Sequence, residues 1–484
     1  MIKSFRIVHN RRYSRQLRPR KGCGLVRAFL TVVVSVLVGC SLLGNQPARA
    51  DEDPPGGPAT PPGNPLSSPL QNWINDNIPA PFLPVDPRQP AGDQSALWRA
   101  VLSPPTGDPT FDEWPANLAD LNPGQIIESR DVTATAGQHM ATPIGRALLL
   151  KFRSTSATGA PSFGTATLII PAAGWNGPGP RPVEVNALPI NALGAHCTPG
   201  YQLSHGILDK PNTDLAWFMP AMWWALGQGH AVLVPDHEGP LMAYGEPNVA
   251  GHVMLDSIRA VRNALSAEFG DSRYVAIGYS GGAIASYATA MLQSEYAPDL
   301  SNVLTGVASG GLVTDYSDMA HRFNGWIASG ILMSVSLAIA REHPEMLQYM
   351  NHLGQLVATS PMRDMCGDAD GPLGAVGIPM DVAANIGNSL DSPIAEELYG
   401  QLDLTNRTSG VPLYIYHGAW DPWIPIQDAQ RMYGEQCSRG VPAVFRVVPG
   451  EHLIGYVTGY PGLDEWINER LGGAPAPSEC PAPR

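Results

Sequence analysis

The chain has 484 residues, of which 44% are hydrophobic and 15% are charged, a balance typical of a globular protein with a sizeable core. Residues 1–50 contain ten lysines and arginines and no acidic residue, so the remaining chain has a formal net charge of −23. Such an acidic chain is a poor ligand for nucleic acid or anionic membranes, and we expect neither as a partner.

Residues 1–50 have the pattern of a signal peptide. Basic residues precede an apolar stretch at residues 28–43, and residues 48–50 supply the small side chains of a cleavage site. The stretch is short and polar for a membrane-spanning helix. Residues 37–40 also resemble a bacterial lipobox, which would make Cys40 a lipid-modified N-terminus. We favour simple secretion, because the apolar stretch continues past Cys40.

Residues 51–110 form a proline-rich extension. Proline removes backbone N–H donors and stiffens the chain, so this extension is predicted to lack a packed core. One short ordered segment is expected near Trp73 and Ile74.

From residue 124 onwards, strand and helix patterns alternate. Apolar, β-branched segments predict strands at residues 126–132, 147–152, 164–171, 182–188, 230–234, 274–279, 302–308, 411–416 and 443–448. Helical spacing of apolar residues predicts helices at residues 213–227, 250–269, 283–290 and 463–471. The alternation predicts an α/β fold, with a mostly parallel sheet covered by helices on both faces.

The alternation is interrupted once, at residues 315–402, where the pattern is almost entirely helical. We therefore expect a core built from residues 111–314 and 403–484, with residues 315–402 inserted as a helical cap. The apolar run in this insertion is too short and contains too many serines for a membrane span.

The most informative stretch is the Gly-x-Ser-x-Gly pattern at residues 278–282, placed between a predicted strand and a predicted helix. Glycines at both ends allow the helix to pass close to the strand, and the turn between them exposes the hydroxyl of Ser280. The N–H of Gly281 would lie at the N-terminus of the helix, where it can stabilise an oxyanion. Ser280 is therefore the candidate nucleophile.

A serine nucleophile needs a base and an acid, which in this fold class follow it in the order acid, then histidine. His452 follows the last predicted strand, and Asp421 follows the strand before it, so both lie where the site of an α/β protein assembles. Glu451 is a competing acid, but a sequence neighbour normally points away from the ring it would orient. His417 is predicted to be structural.

Asp236 follows the predicted strand at residues 230–234, on a loop that should border the serine. The spacing leaves two roles open: a turn-forming aspartate, or the source of a second oxyanion donor.

Four cysteines lie outside residues 1–50, at positions 197, 366, 437 and 480, and none is part of a Cys-x-x-Cys motif. Two disulfides are expected in an exported protein, and the sequence allows three pairings. We expect no metal site.

Four segments resemble the secretory lipase family of the yeast lipase A type. They are residues 236–239, 278–283, 294–298 and 451–453, within a similarity that runs from about residue 111 to residue 480. The resemblance implies an α/β-hydrolase core with a helical cap, and a triad of Ser280, Asp421 and His452. It also implies an oxyanion hole from Asp236 and Gly281, and the disulfides Cys197–Cys366 and Cys437–Cys480.

The sequence thus predicts a secreted serine hydrolase that cleaves carboxylic ester bonds of lipids through an acyl-enzyme, without a cofactor. Its expected partners are a lipid or acyl-ester substrate and, transiently, a lipid interface. A short-chain esterase, an acyltransferase and a non-catalytic cell-surface binding protein are the alternatives. The apolar side chains of the cap are expected either to line an acyl tunnel or to pack against one another: Trp326, Ile327, Ile331, Leu332, Met333 and Val335.

Overall fold

The structure is a computed structural model that describes residues 69–83, 93–209, 213–367 and 377–481. These residues belong to one compact unit that begins at Asn64. The predicted signal peptide, Cys40 and the first part of the proline-rich extension lie outside the described residues.

A single nine-stranded sheet forms the centre of the fold, with the strand order β1-β2-β3-β5-β4-β6-β7-β8-β9. The strands are β1 Ile126–Asp131, β2 Ile144–Thr155, β3 Pro161–Pro171, β4 Val183–Ala187, β5 Ala231–Pro235, β6 Tyr274–Tyr279, β7 Leu304–Gly310, β8 Leu413–Gly418 and β9 Ala443–Val448. The pairs β1–β2, β2–β3 and β3–β5 are antiparallel, and all other pairs are parallel.

Successive side chains of the central strands alternate between two apolar cores, as strand geometry requires. Ala231 and Leu233 of β5 face the first core, whereas Val232 and Val234 face the opposite side. Because both faces are covered, all five residues of β5 are buried.

The helices of the core pack on the two faces of the sheet and confirm the predicted fold class. They are α3 Pro199–His205, α4 Thr213–Gly227, α5 Pro247–Ala264, α6 Gly281–Tyr296, α11 Ile426–Ser438 and α12 His452–Gly472. Helices α5, α6 and α11 pack on one face, and α3, α4 and α12 pack on the other. Short helical turns at Pro109–Asp112, Thr133–Ala136 and Ser266–Phe269 complete the connections.

Between β7 and β8 the chain is helical, without a sheet strand among its described residues. The helices are α7 Tyr316–Phe323, α8 Ser329–Glu342, α9 His352–Thr359 and α10 Pro393–Leu402. They are the helices that the sequence places in the inserted segment at residues 315–402.

The proline-rich extension contains more packed structure than the sequence predicts. Besides α1 Pro69–Asn77, which includes the expected ordered segment, a second helix α2 covers Asp93–Val101. Leu97 and Val101 of α2 are buried in an apolar cluster with Leu337 and Leu347 of the inserted segment. The prolines on either side of α2 do not prevent a short helix between them. The apolar face of this helix is stabilised by its packing on the inserted segment.

The last helix also differs from its prediction at residues 463–471, because α12 begins at His452 and includes Pro461. The N-terminus of α12 is stabilised by a cap, in which Glu451 accepts hydrogen bonds from the N–H groups of Leu453 and Ile454. In the described part of the chain, no helix is long and apolar enough to cross a membrane. Two disulfides are present, Cys197–Cys366 and Cys437–Cys480.

Candidate active site

Ser280 lies on the turn between β6 and α6, with a φ of 54°. A side chain at Gly278 would place its Cβ 2.0 Å from the carbonyl oxygen of Gly282, and one at Gly282 would lie 2.0 Å from the carbonyl oxygen of Ala187. Glycine is therefore required at both positions for α6 to approach the sheet. The turn presents the Ser280 hydroxyl at the carboxyl edge of the parallel strands.

His452 is the first residue of α12, and its buried ring lies between the serine and Asp421. Its Nε2 is 2.9 Å from the Oγ of Ser280, and its Nδ1 is 2.5 Å from the Oδ2 of Asp421. The hydroxyl of Tyr279 donates a hydrogen bond to the carbonyl oxygen of His452. Hydroxyl, imidazole and carboxylate thus form one hydrogen-bonded chain.

Asp421 is held as a carboxylate by donors on three sides. Its Oδ1 accepts the N–H groups of Trp423 and Ile424, each at 3.0 Å. The Nε2 of His417 is 3.4 Å from Oδ2. Burial by itself raises the pKa of Asp421, but the hydrogen bonds from His417, His452 and Ile424 and the charge of His452 together hold that pKa well below its usual range.

The two neighbouring candidates have other partners. The carboxylate of Glu451 caps α12 and therefore does not orient the ring of His452. The ring of His417 is completely buried, and its Nε2 also lies 3.0 Å from the carbonyl oxygen of Ile424. His417 thereby supports the loop that carries Asp421, in agreement with a structural role.

Gly281 begins α6, where the first N–H groups of a helix have no acceptor within the helix. The amide end of Asn191 lies directly beside it, since a Cβ on Gly281 would come within 1.9 Å of the Asn191 Oδ1. This buried amide oxygen has no hydrogen-bond partner among the described residues. Oxygen and nitrogen of an amide are assigned from their partners, so a rotated amide places an Nδ2 donor at the same position. Gly281, the residue after Ser280, and the amide of Asn191 therefore form a pocket in which two donors can meet.

The structure does not place Asp236 in this pocket, which corrects the expectation of an oxyanion donor at that residue. Its carboxylate accepts hydrogen bonds from the Thr165 hydroxyl at 2.6 Å and from the Gly200 N–H at 2.7 Å. Its own N–H donates to the carbonyl oxygen of Thr165 at 2.9 Å. Burial raises the pKa of Asp236 to about 7, although both hydrogen bonds lower it.

The loop around Asp236 instead supports the loop that carries Asn191. A ring nitrogen of His237 is 2.7 Å from the carbonyl oxygen of Leu188, and Glu238 accepts the N–H of Ala192 at 3.3 Å. Asn191 was not identified from the sequence, because it belongs to no motif. Its only signal is chemical: asparagine tolerates the positive φ of 49° found here better than most residues.

A cavity of about 230 Å³, whose described lining residues are all uncharged, lies between the inserted helices and the core. Tyr244, which is close to Gly281, and Ile284, one turn after Ser280, form part of its wall. Most of the remaining wall is aliphatic or methionine. Ile331, Leu332, Met333 and Val335 line the cavity, as expected for an acyl tunnel, whereas Trp326 and Ile327 are exposed on the surface.

In the described part of the chain, one cluster has metal-ligand spacing: His196, Cys197 and Cys366. The two sulfurs are bonded to each other and so cannot act as thiolate ligands.

Comparisons with known proteins agree with this geometry. A family model described as secretory lipase matches residues 217–479. Lipase 10 of Candida albicans is 29% identical over 409 residues, which cover 78% of this chain and 84% of that protein. A protein of Mycobacterium tuberculosis described as a probable inactive lipase is 27% identical over 425 residues, which cover 81% of this chain and 90% of that protein.

A similar fold is found in the solved structure of Candida antarctica lipase A in its closed state. The TM-score is 0.71 and the identity 26%, over 79% of this chain and 90% of that chain. The chain therefore belongs to the secretory lipase family and is a carboxylic ester hydrolase with the α/β-hydrolase fold.

Proposed function

We propose that this protein is a secreted lipase, which hydrolyses carboxylic esters of lipids through a Ser280–His452–Asp421 triad and an acyl-enzyme. The observation that carries the proposal is the hydrogen-bonded chain from the Ser280 hydroxyl through the ring of His452 to the Asp421 carboxylate. Secretion is supported by the family and by the signal-peptide pattern of residues 1–50.

In the proposed reaction, His452 Nε2 takes the proton of Ser280 while Oγ attacks the ester carbonyl carbon. Asp421 keeps the proton of the imidazole on Nδ1 and stabilises the imidazolium. The tetrahedral intermediate expels the alcohol, which receives the proton from His452, and Ser280 remains acylated. Water, deprotonated by His452, then attacks the acyl-enzyme and releases the fatty acid.

The developing oxyanion needs donors beside Ser280. We assign this role to the backbone N–H of Gly281 and the side-chain amide of Asn191, because these groups meet beside the serine. Asp236 is assigned a positioning role, since its carboxylate joins Thr165 of β3 to Gly200, which follows the loop of Asn191.

The cavity supports a lipid acyl chain as the substrate group. It begins at Tyr244 and Ile284, close to Ser280 and Gly281, and no charged side chain is among its described lining residues. Burial of an acyl chain there would gain about 0.8 kcal/mol per CH₂ group. Residues 315–402 would accordingly act as the cap that encloses the acyl chain.

Replacing the nucleophile tests the proposal. Ser280→Ala is expected to lower the rate of nitrophenyl ester hydrolysis at least about 10³-fold, because no other group can form the acyl-enzyme. A fluorophosphonate probe should label the wild-type chain and leave Ser280→Ala unlabelled. Ser438→Ala, a change at an exposed serine far along the chain, serves as the control and should match the wild type in both assays.

The same assays test the non-catalytic alternative. A non-catalytic scaffold, suggested by the relative described as probably inactive, would neither turn over the ester nor react with the probe. Absence of ester turnover, or of labelling by the probe, in the wild-type chain would refute the hydrolase proposal. The hydrogen-bonded state of Ser280 and His452 favours the active enzyme.

A further inference from the structure

Helix α1 precedes the residues that match the secretory lipase model, yet it packs closely on the inserted helices. Ile74 is completely buried, and Gln71 is 2% exposed. The side-chain N–H of Gln71 donates to the carbonyl oxygen of Asp381. The helix therefore has a face that is shaped to the inserted segment.

The part of the inserted segment that α1 contacts is a wall of the acyl cavity. Two stretches, residues 349–352 and 381–386, are held together there. The N–H of Asn385 donates to the carbonyl oxygen of Tyr349 at 2.6 Å, and the amide of Asn351 donates to the carbonyl oxygens of Val382 and Ala384. The side chains that these stretches contribute to the cavity lining are Tyr349, Met350, Ala383, Ala384 and Ile386.

Asn75 of α1 connects both stretches with one amide group. Its Nδ2 donates to the Oδ1 of Asn385 at 2.9 Å, and its Oδ1 accepts the N–H of His352 at 3.0 Å. A second contact lies beside it, where Nδ1 of His352 is 2.7 Å from the carbonyl oxygen of Ile78. Asn385 lies between the lining residues Ala384 and Ile386, and His352 lies two residues from the lining residue Met350.

We propose that Asn75 determines acyl-chain preference, by holding the wall formed by residues 349–352 and 381–386 in a fixed position. This inference rests on the proposed function. An acyl chain long enough to reach the wall binds best when the wall is already ordered, because ordering it on binding costs free energy. The inference requires that a short acyl group bound to Ser280 stays clear of this wall and is therefore insensitive to Asn75.

The test compares butanoyl and dodecanoyl nitrophenyl esters on the full chain. Asn75→Ala removes two hydrogen bonds, so the ratio of kcat/KM for the dodecanoyl ester to that for the butanoyl ester should fall about tenfold, mainly through KM. Asn77→Ala is the matched control on the same helix, because Asn77 is exposed and its amide bonds only to Trp73 of α1. Its ratio should equal that of the wild type.

Asn75→Asp provides a second variant that keeps the acceptor for the His352 N–H and loses the donor to Asn385; it should give an intermediate ratio. It replaces Asn75→Ala in the comparison if that variant does not fold. An unchanged ratio, or an equal loss on both esters, would overturn the inference while leaving the hydrolase proposal intact. Absence of ester hydrolysis by the wild-type chain would overturn both.

Discussion

Asn191 is a residue of the candidate site that the sequence did not identify. Its backbone has a φ of 49°, a conformation that most side chains disfavour, and its buried amide oxygen has no partner within the described ranges. Strained backbone and unpaired polar groups are both costly to stability, and they persist together where a function requires them. A donor for a transient oxyanion is such a function, because its acceptor appears only during the reaction.

Asn191→Ala is therefore expected to lower kcat about 10²-fold and to leave KM nearly unchanged, since the lost hydrogen bond exists only in the transition state. Steady-state kinetics with a nitrophenyl ester give both parameters. Asn388→Ala is the matched control, because Asn388 also has a positive φ of 51° and is exposed. Equal losses in the two variants would mean that backbone strain, not oxyanion binding, explains the effect.

At the scale of elements, Arg341 near the end of α8 connects several separate segments by hydrogen bonds. Its buried guanidinium donates only to backbone carbonyl oxygens, which come from α2, the loop after β4, the loop after β5 and the inserted segment: Val101, Leu193, Leu241, Met242 and Arg363. Burial lowers the pKa of Arg341 to about 10, so the group is still charged at neutral pH. Leu193 is two residues from Asn191, which links α8 to the oxyanion pocket.

Arg341→Leu should lower the free energy of unfolding by at least about 3 kcal/mol, because several buried carbonyl groups lose their donor at once. Urea unfolding followed by fluorescence measures the change. Arg322→Leu on α7 is the control: Arg322 is half-exposed and pairs with Asp318, and such surface pairs contribute at most about 1 kcal/mol. Equal effects of the two substitutions would contradict a clamp at Arg341.

For the molecule as a whole, buried carboxyl groups contribute to the pH dependence of stability. Burial raises the pKa of Glu184 to about 8, of Asp236 and Glu342 to about 7, and of Asp256 to about 6. The unfolded chain releases these protons near pH 4, whereas the folded chain holds them to higher pH. At these four sites the folded state therefore binds more protons, and their contribution to stability falls as the pH rises from 5 to 8.

Asp108 and Asp421 are carboxyl groups through which the folded state loses stability at acid pH. Hydrogen bonds to Arg130 and Thr110 and the charge of Arg130 lower the pKa of Asp108 despite its burial, and Asp421 behaves likewise. Their contribution is complete above the pKa of the unfolded chain, near 4, and is lost as the pH falls through their lower folded-state values.

Glu184→Gln isolates the largest of these effects. Between pH 5 and pH 8 the free energy of unfolding should fall by up to about 4 kcal/mol less in the variant than in the wild type. The reason is that glutamine has no proton to release. Urea unfolding of both chains at pH 5, 6.5 and 8 gives the comparison. Parallel curves for the two chains would show that Glu184 does not hold its proton in the folded state.

Much of the fold was predictable from the sequence because its signals are local. The alternating strand and helix patterns identify the sheet, and parallel strands bring their carboxyl ends to one edge. Ser280, Asp421 and His452 each follow such a strand in the chain, and this position made them candidates before any distance was known. The sequence did not predict that the last helix begins at His452. Pro461 suggests an end of the helix at that point, but the packed helix tolerates this proline.

The remaining features depend on contacts between segments far apart in the chain. Asp421, rather than Glu451, faces His452 because the N–H groups at the start of α12 bind Glu451. Asp236 turns towards Thr165 and Gly200, while Asn191 reaches Gly281. Sequence alone thus determined the elements and the edge at which the site lies. Tertiary structure decided which polar groups meet there, because packing and backbone dihedral angles, not residue type, set the direction of a loop side chain.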